Sequence, residues 1–258
     1  MQFAAMETIL PSKAPDSITE AKEAGYAGIE LNVDGPDAAT DPIWTPANRV
    51  RMQVKAVAEE MAIPSICLGF LNRGGLTSDD PDVRADARHA IVNAIDAAAA
   101  IRAEAILVPF FGDAQIESSE ERDRLVDGFQ RLTDAAEAVD VTLAIENTLD
   151  GEANAELVDR IDSPKVGIYF DVGNALVYGN DPIEDIETLG PDIARVHFKD
   201  WDDDGSCRIG DGHVDYPAAV EALRDIGYDN WVVLETPSRE DPIHEATVNL
   251  DRSREYVR

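Results

Sequence analysis

Eight apolar, strand-like runs alternate along this chain with amphipathic stretches of helical period. The runs recur about every 25–40 residues, a spacing that accommodates a strand plus a helix rather than a hairpin. Strands connected by helices form a parallel sheet, and eight such units favour closure into a barrel. The expected strands span residues 2–6, 26–32, 63–69, 104–110, 141–147, 166–171, 193–199 and 231–235.

We therefore predict an α/β protein with a single (β/α)8 barrel domain over residues 1–258. The length of 258 residues suits one such barrel, and no Pro/Gly/Ser-rich stretch divides the chain. No Gly-x-Gly-x-x-Gly motif follows the first strand, which disfavours an open dinucleotide-binding sheet. Glycines 25 and 227 are expected to end helices. Helices are expected over residues 16–24, 46–61, 83–101, 119–139 and 217–226.

The charge of the chain is strongly acidic, with 52 Asp and Glu against 22 Lys and Arg and a formal net charge of −30. Such self-repulsion opposes compaction at ordinary salt, whereas molar salt shortens the screening length to ~3 Å. We therefore expect adaptation to a saline cytoplasm. A nucleic-acid partner is disfavoured, because duplex binding needs clustered basic residues that neutralise phosphates.

The location expected from sequence is the cytoplasm. The first residues lack the basic start and apolar stretch of a signal peptide, and no apolar run approaches the ~20 residues of a membrane span. Cys67 and Cys207 have no metal-type spacing, so a disulfide framework is not expected.

Four side chains with metal-binding donor atoms stand where the last four apolar runs end. They are Glu146, Asp171, His197 and Glu235. Side chains alternate in direction along a strand, neighbouring strands lie ~4.8 Å apart, and the active groups of α/β barrels lie at the carboxyl ends of the strands. We therefore predict that the four groups meet at the mouth of the barrel.

Three carboxylates and one imidazole form a donor set for one divalent cation. Without a cation, three close carboxylates would repel one another and some would take up protons. The oxygen-rich set best fits Mn²⁺ or Mg²⁺, with Zn²⁺, Co²⁺ and Fe²⁺ as alternatives. One such side chain alone is commonly an exposed loop residue, but four at the same register of successive strands favour a metal site that acts as a Lewis acid.

A set of ordered motifs resembles the sugar phosphate isomerase/epimerase superfamily, whose members are xylose isomerase-like TIM barrels. The motifs extend over nearly the whole chain, at residues 26–31, 76–80, 144–147, 170–175, 196–200, 209–216 and 234–236. The resemblance implies an isomerase or epimerase of a small sugar, sugar phosphate or similar hydroxycarbonyl compound. It also implies the metal ligands named above, with Glu146 and Glu235 as acid and base on opposite faces of the substrate carbon. They would remove a proton α to a carbonyl and give an enediolate.

Four residues are candidates for substrate binding. Lys199 and Arg208 are expected either to clamp a substrate oxygen or phosphate or to pair with the acids at 200 and 202–204. Asn174 stands where many members of the resembled family have histidine, and it can hydrogen-bond a hydroxyl but cannot titrate near neutrality. Glu30 is expected to contact substrate, to support the site or to be a buried ion-pair partner.

Three other functions remain as alternatives. An inosose-type dehydratase would share the first proton abstraction and then expel a hydroxyl. A metallonuclease similar to abasic-site endonucleases is disfavoured by the net charge, and because residues 67–70 and 204–208 lack the histidines of a three-metal site. A non-catalytic sugar-binding barrel is disfavoured because both glutamates are present. The oligomeric state stays open, with a homo-oligomer as one alternative.

Overall fold

A computed structural model describes residues 1–237 and 240–258 and contains a closed barrel of eight parallel strands. Each strand pairs with its neighbours in sequence, and the eighth strand closes the ring against the first. The (β/α)8 prediction is confirmed. The strands are β1 (Gln2–Met6), β2 (Gly28–Asn32), β3 (Ser65–Cys67), β4 (Ala105–Pro109), β5 (Thr142–Glu146), β6 (Val166–Asp171), β7 (Ile193–Phe198) and β8 (Trp231–Leu234).

Helices connect the strands on the outside of this ring. Glycines 25 and 227 have positive φ values of 94° and 76° just past two of these helices, as the sequence predicts. The helices are α1 (Asp16–Glu23), α2 (Pro46–Ala58), α3 (Pro81–Ile101), α4 (Ser119–Gln130), α5 (Thr133–Val139), α6 (Gly151–Ile161), α7 (Val172–Val177), α8 (Pro182–Leu189), α9 (Tyr216–Asp225) and α10 (Pro242–Val257).

The single helix expected over residues 119–139 is wrong, because it is divided into α4 and α5. The Leu132 N–H bonds to the Phe129 carbonyl three residues back, at 2.8 Å, which tightens the last turn of α4 and ends it. The start of α4 agrees with its sequence. Ser118 and Glu121 form a reciprocal capping box there.

The apolar core lies between the strands and the helices. Side chains alternate along each strand, so residues such as Ile29, Ile106 and Leu143, all fully buried, pack toward the helices. None of the helices in the two described ranges is long and apolar enough to cross a membrane.

A short antiparallel hairpin that the sequence analysis did not predict follows β7. Its strands are Asp200–Asp202 and Gly205–Cys207. The fully buried Asp200 carboxylate accepts backbone hydrogen bonds from Gly210 at 2.8 Å and from Gly212 at 3.1 Å. One carboxylate therefore fixes the hairpin and the following turn at the barrel mouth.

Candidate metal centre and active-site cavity

The strand ladder places the four predicted ligands at one end of the barrel. Glu146 is the last residue of β5 and Asp171 the last of β6. Asp171 lies opposite His197 of β7 in the register of the sheet. Glu235 directly follows β8, and its N–H bonds to the Phe198 carbonyl at 3.0 Å, which extends the ladder by one residue. All four side chains therefore reach the same mouth.

The donor atoms converge on the imidazole of His197. Ligand atoms of Glu146, Asp171 and His197 all lie within 4.8 Å of one another, and the three residues are buried. The Nδ1 atom of His197 is 3.9 Å from Glu146 Oε1 and 3.9 Å from Asp171 Oδ2. Glu235 Oε2 is 3.6 Å from the same nitrogen. The geometry thus brings all four predicted ligands together.

The hydrogen bonds around this cluster leave two buried polar atoms, one oxygen and one nitrogen, unpaired. Asp171 Oδ1 accepts from the N–H groups of Gly173 and Asn174, both at 2.8 Å, and so caps α7. Asp171 Oδ2 and His197 Nδ1 are buried and have no hydrogen-bond partner. Buried polar atoms seldom remain unpaired in native proteins. A divalent cation bound to both atoms would satisfy them, so the residues present fit a metal ion.

The pKa values of the metal-free cluster show the cost of burying these acids together. Burial, with the nearby Asp171 and Glu235 carboxylates, raises the pKa of Glu146 to about 8 despite His197. Burial also raises the pKa of Asp171 to about 6. For His197, burial alone would lower the pKa, but Glu30, Glu146 and Glu235 outweigh it and raise it to about 10. The cluster therefore holds protons that a bound cation would displace.

Glu30 lies behind His197 rather than at the mouth. Strand β2 continues to Asn32, so Glu30 is one inward-facing position deeper than the strand end. Its side chain is 0% exposed, and Oε1 is 3.0 Å from His197 Nε2. Burial would raise the pKa of Glu30, but His197 and hydrogen bonds from Ser65 and Tyr169 outweigh it and lower the pKa. In this structure Glu30 is therefore a buried partner of His197 and does not line the cavity.

The cluster opens into a cavity of about 370 Å³ at the barrel mouth. Its wall combines charged groups with amide, aromatic and apolar side chains. The lining residues are Met6, Asn32, Cys67, Gly69, Asn72, Pro109, Phe111, Glu146, Asn174, Tyr178, His197, Lys199, Trp201 and Glu235.

Two of the predicted substrate-binding residues line this cavity. Lys199 Nζ donates to Glu235 Oε1 at 2.9 Å and lies 5.4 Å from the ring centre of Trp201. Asn174 Nδ2 donates to Glu146 Oε1 at 3.0 Å. Each residue therefore orients one of the two glutamates while facing the cavity.

Arg208, predicted as a substrate clamp, is not among the cavity-lining residues. Its guanidinium makes a bidentate pair with Glu245 of α10, at 2.7 and 2.6 Å. In this structure Arg208 therefore pairs with a glutamate, and the clamp on substrate stays a prediction. The ion-pair alternative is right in kind, but the partner is Glu245 rather than one of the nearby aspartates.

The aromatic residues of the cavity and two of its three asparagines are absent from the sequence prediction. Phe111 and Tyr178 stack with ring centres 6.1 Å apart, and Trp201 belongs to the unpredicted hairpin. Asn32 and Asn72 also line the cavity. Their positions at strand ends or in the loops that follow could have identified them from the sequence, because these loops carry the binding residues of α/β barrels.

Comparison with known proteins gives relatives of the same architecture. L-ribulose-5-phosphate 3-epimerase UlaE of Salmonella paratyphi A is 29% identical over 250 residues, 92% of this chain and 86% of that protein. The structure of D-psicose 3-epimerase with D-tagatose, from Clostridium cellulolyticum H10, has a TM-score of 0.85 at 18% identity and covers 100% and 99% of the two chains. The IolI protein with a bound zinc atom has a TM-score of 0.80 at 18% identity, with 99% of both chains covered.

The similarity to these solved structures shows the fold. The family is shown by a separate match to a family model. Residues 18–256 match the xylose isomerase-like TIM barrel family. This range contains all four predicted metal ligands. The resemblance found in the sequence motifs is confirmed, and the chain belongs to the xylose isomerase-like TIM barrel family.

Proposed function

We propose that this protein is an isomerase-class enzyme, a divalent-metal-dependent 3-epimerase of a ketose or ketose phosphate. The observation that carries the proposal is the buried cluster at the cavity, in which Asp171 Oδ2 and His197 Nδ1 lack partners beside two further carboxylates. A metal site with open positions and acid–base groups is what proton abstraction α to a carbonyl requires.

The names of the relatives support this reaction over the alternatives. The sequence relative is called an L-ribulose-5-phosphate 3-epimerase and one structural neighbour a D-psicose 3-epimerase. Neither name points to a dehydratase or a nuclease. The zinc in IolI supports the metal dependence.

The residues that would hold the ion offer three carboxylate oxygens and one imidazole nitrogen. Asp171 Oδ2 and His197 Nδ1 are already oriented by the hydrogen bonds on their other atoms. Glu146 and Glu235 complete the set from the neighbouring strands. When bound, a divalent ion supplies a Lewis acid that polarises a substrate carbonyl, and the donor set suits Mn²⁺ or Mg²⁺ as well as Zn²⁺.

The two glutamates would move the proton. Epimerisation removes a proton from one face of a carbon and returns one to the other face, so it needs two acid–base groups. Glu146 is oriented by Asn174, and Glu235, whose side chain is 27% exposed, is oriented by Lys199. Both line the cavity. General acid–base catalysis of this kind works best when the pKa of the group lies near the working pH.

The cellular setting is a second part of the proposal. The net charge of −30 supports a saline cytoplasm, because salt screens the repulsion between surface carboxylates. We expect the unfolding temperature to rise from dilute buffer to molar KCl. An unchanged or lower value would contradict the adaptation to salt.

The test of the reaction is proton exchange with candidate ketoses. Protein loaded with Mn²⁺ is incubated in D₂O with D-psicose, D-tagatose or L-ribulose 5-phosphate, and the sugar is analysed by proton NMR after the metal is removed. We expect deuterium at C3 together with the C3 epimer, and no exchange after chelation. Binding of Mn²⁺ without exchange on any of these sugars would contradict the proposal, and an alkene product would indicate dehydration.

A further inference from the structure

The imidazole of His197 has a second buried partner, on the side away from the cavity. Glu30 of β2 is 0% exposed, and its Oε1 atom lies 3.0 Å from His197 Nε2. Its other oxygen, Oε2, accepts from Ser65 Oγ at 2.6 Å and from the Tyr169 hydroxyl at 2.7 Å. We call Glu30, Ser65 and Tyr169 the Glu30 network.

These contacts determine which nitrogen of His197 carries a proton toward Glu30. Two hydroxyl donors on Oε2 stabilise the ionised carboxylate, which can only accept hydrogen bonds. His197 Nε2 must then be the donor to Oε1. A neutral imidazole with its proton on Nε2 has its lone pair on Nδ1, the atom that faces Glu146, Asp171 and Glu235.

The network also fixes the plane of the ring. Tyr169 is 1% exposed and lies two residues before Asp171 on the same face of β6. Its ring centre is 4.4 Å from that of His197, with an interplanar angle of 52°. The ring is therefore held by a hydrogen bond at Nε2 and by contact with an aromatic side chain.

A contribution to stability is a weak explanation for a buried glutamate at position 30. A fully buried carboxylate in the middle of a barrel has a large desolvation cost, and apolar side chains commonly replace such buried pairs without loss of stability. Metal-binding histidines, in contrast, commonly donate their second N–H to a carboxylate, which fixes the tautomer and raises the basicity of the ligand.

We propose that Glu30 is the positioning residue of the metal centre: supported by Ser65 and Tyr169, it holds His197 with Nδ1 toward the ion. This inference rests on the proposed metal site. It assigns Glu30 a role in metal affinity rather than in contact with substrate, since Glu30 does not line the cavity.

The test compares two buried glutamates that differ in their contact with His197. Glu7 is 3% exposed and accepts from Ala14 N at 2.7 Å, Ser17 Oγ at 2.8 Å and Asn32 N at 3.1 Å, so it matches Glu30 in burial and in the number of bonds. Titration with Mn²⁺ alone is measured by calorimetry for the wild type, Glu30→Gln and Glu7→Gln. We expect the Kd to rise about 10–100-fold for Glu30→Gln and to be unchanged for Glu7→Gln.

A second measurement reads the tautomer directly in the wild type. Spectra of ¹⁵N-histidine-labelled protein loaded with Zn²⁺, a diamagnetic ion, should show His197 protonated at Nε2 and coordinated through Nδ1. Coordination through Nε2 would overturn the inference, as would a wild-type Kd for folded Glu30→Gln.

The remaining outcomes are also decisive. Should Glu30→Gln not fold, Tyr169→Phe replaces it, because this change removes one donor to Glu30 and leaves the bond to His197. A higher Mn²⁺ Kd then supports the inference and an unchanged Kd overturns it. A wild type that binds no Mn²⁺ would contradict the proposed function itself, whereas equal binding by wild type and variants would contradict this inference alone.

Discussion

The two halves of the barrel mouth differ in the chemistry of their side chains. Among the described residues, every carboxylate, amine and imidazole that lines the cavity comes from β5–β8 and their loops, which we call the charged half. It supplies Glu146, His197, Lys199 and Glu235. The neutral half, from β1–β4 and their loops, supplies Met6, Asn32, Cys67, Gly69, Asn72, Pro109 and Phe111.

This difference indicates a division of labour in the proposed reaction. Charges that stabilise a developing negative charge act most strongly when they are fixed and shielded from water. Amide and aromatic side chains instead bind hydroxyl groups and the apolar faces of a ligand. We therefore expect changes in the charged half to affect the chemical step and metal binding, and changes in the neutral half to affect substrate binding alone.

The largest expected effect is that of Glu235→Gln in the charged half. The change keeps the size of the side chain but removes a proton acceptor, and the rate of C3 exchange should fall by about 10²–10⁴-fold. The exchange rate is measured by NMR in D₂O. The control is Glu221→Gln on the exposed surface of α9, which should exchange like the wild type. Exchange by Glu235→Gln at the wild-type rate would show that this residue of the charged half does not transfer the proton.

A smaller effect, counted per pH unit, is expected for the dependence of metal affinity on pH. In the metal-free chain Glu146 has a pKa of about 8 and His197 one of about 10, so both hold protons at neutral pH. Metal binding must displace these protons, so affinity should rise with pH, by about tenfold per pH unit for each proton released. Calorimetry with Mn²⁺ from about pH 6 to about pH 9 measures the slope.

The neutral half supplies the control for this pH dependence. Burial raises the pKa of Cys67 well above its ordinary value, so its thiol stays protonated over the same range. Cys67→Ala should therefore leave the slope of Mn²⁺ affinity against pH unchanged. A wild-type affinity that does not vary with pH would contradict the assignment of Glu146 and His197 as ligands.

The smallest effect is expected for Phe111→Leu in the neutral half. The change removes the stacking of Phe111 on Tyr178 and leaves the metal ligands untouched. A substrate that packs on the Phe111 ring would lose an aromatic contact of about 0.5–1.5 kcal/mol, so KM should rise about two- to tenfold with little change in kcat. Steady-state kinetics on the accepted ketose measures KM and kcat. The Mn²⁺ Kd of the variant, which should equal that of the wild type, is the control. A large fall in kcat would show that the halves are not separate.

Residues whose position follows from the strand pattern were predictable from sequence. Glu146 and Asp171 close apolar runs, and the alternation of side chains then places them at the mouth. His197 and Glu235 follow from the same rule. The barrel itself follows from the spacing of eight runs, because strand–helix units of this length permit parallel pairing.

Residues whose position depends on distant contacts were not predictable. Arg208 reaches Glu245, which lies 37 residues further along the chain, and nothing local indicates this pair. For Glu30 the sequence left three alternatives open, because the contact with His197 that distinguishes them joins residues 167 positions apart. The hairpin after β7 depends on the bonds of Asp200 to a turn ten residues away.

Gly173 limits which parts of the cavity can change when residues are replaced during evolution. A side chain at this position, in the first turn of α7, would overlap the carbonyl group of Lys199, so the segments that follow β6 and β7 touch main chain to main chain. The distance between the segments that carry Asp171 and His197 is thus set by backbone contact. Replacement of cavity-wall residues would therefore change which molecule is accepted and leave the spacing of these two predicted ligands unchanged.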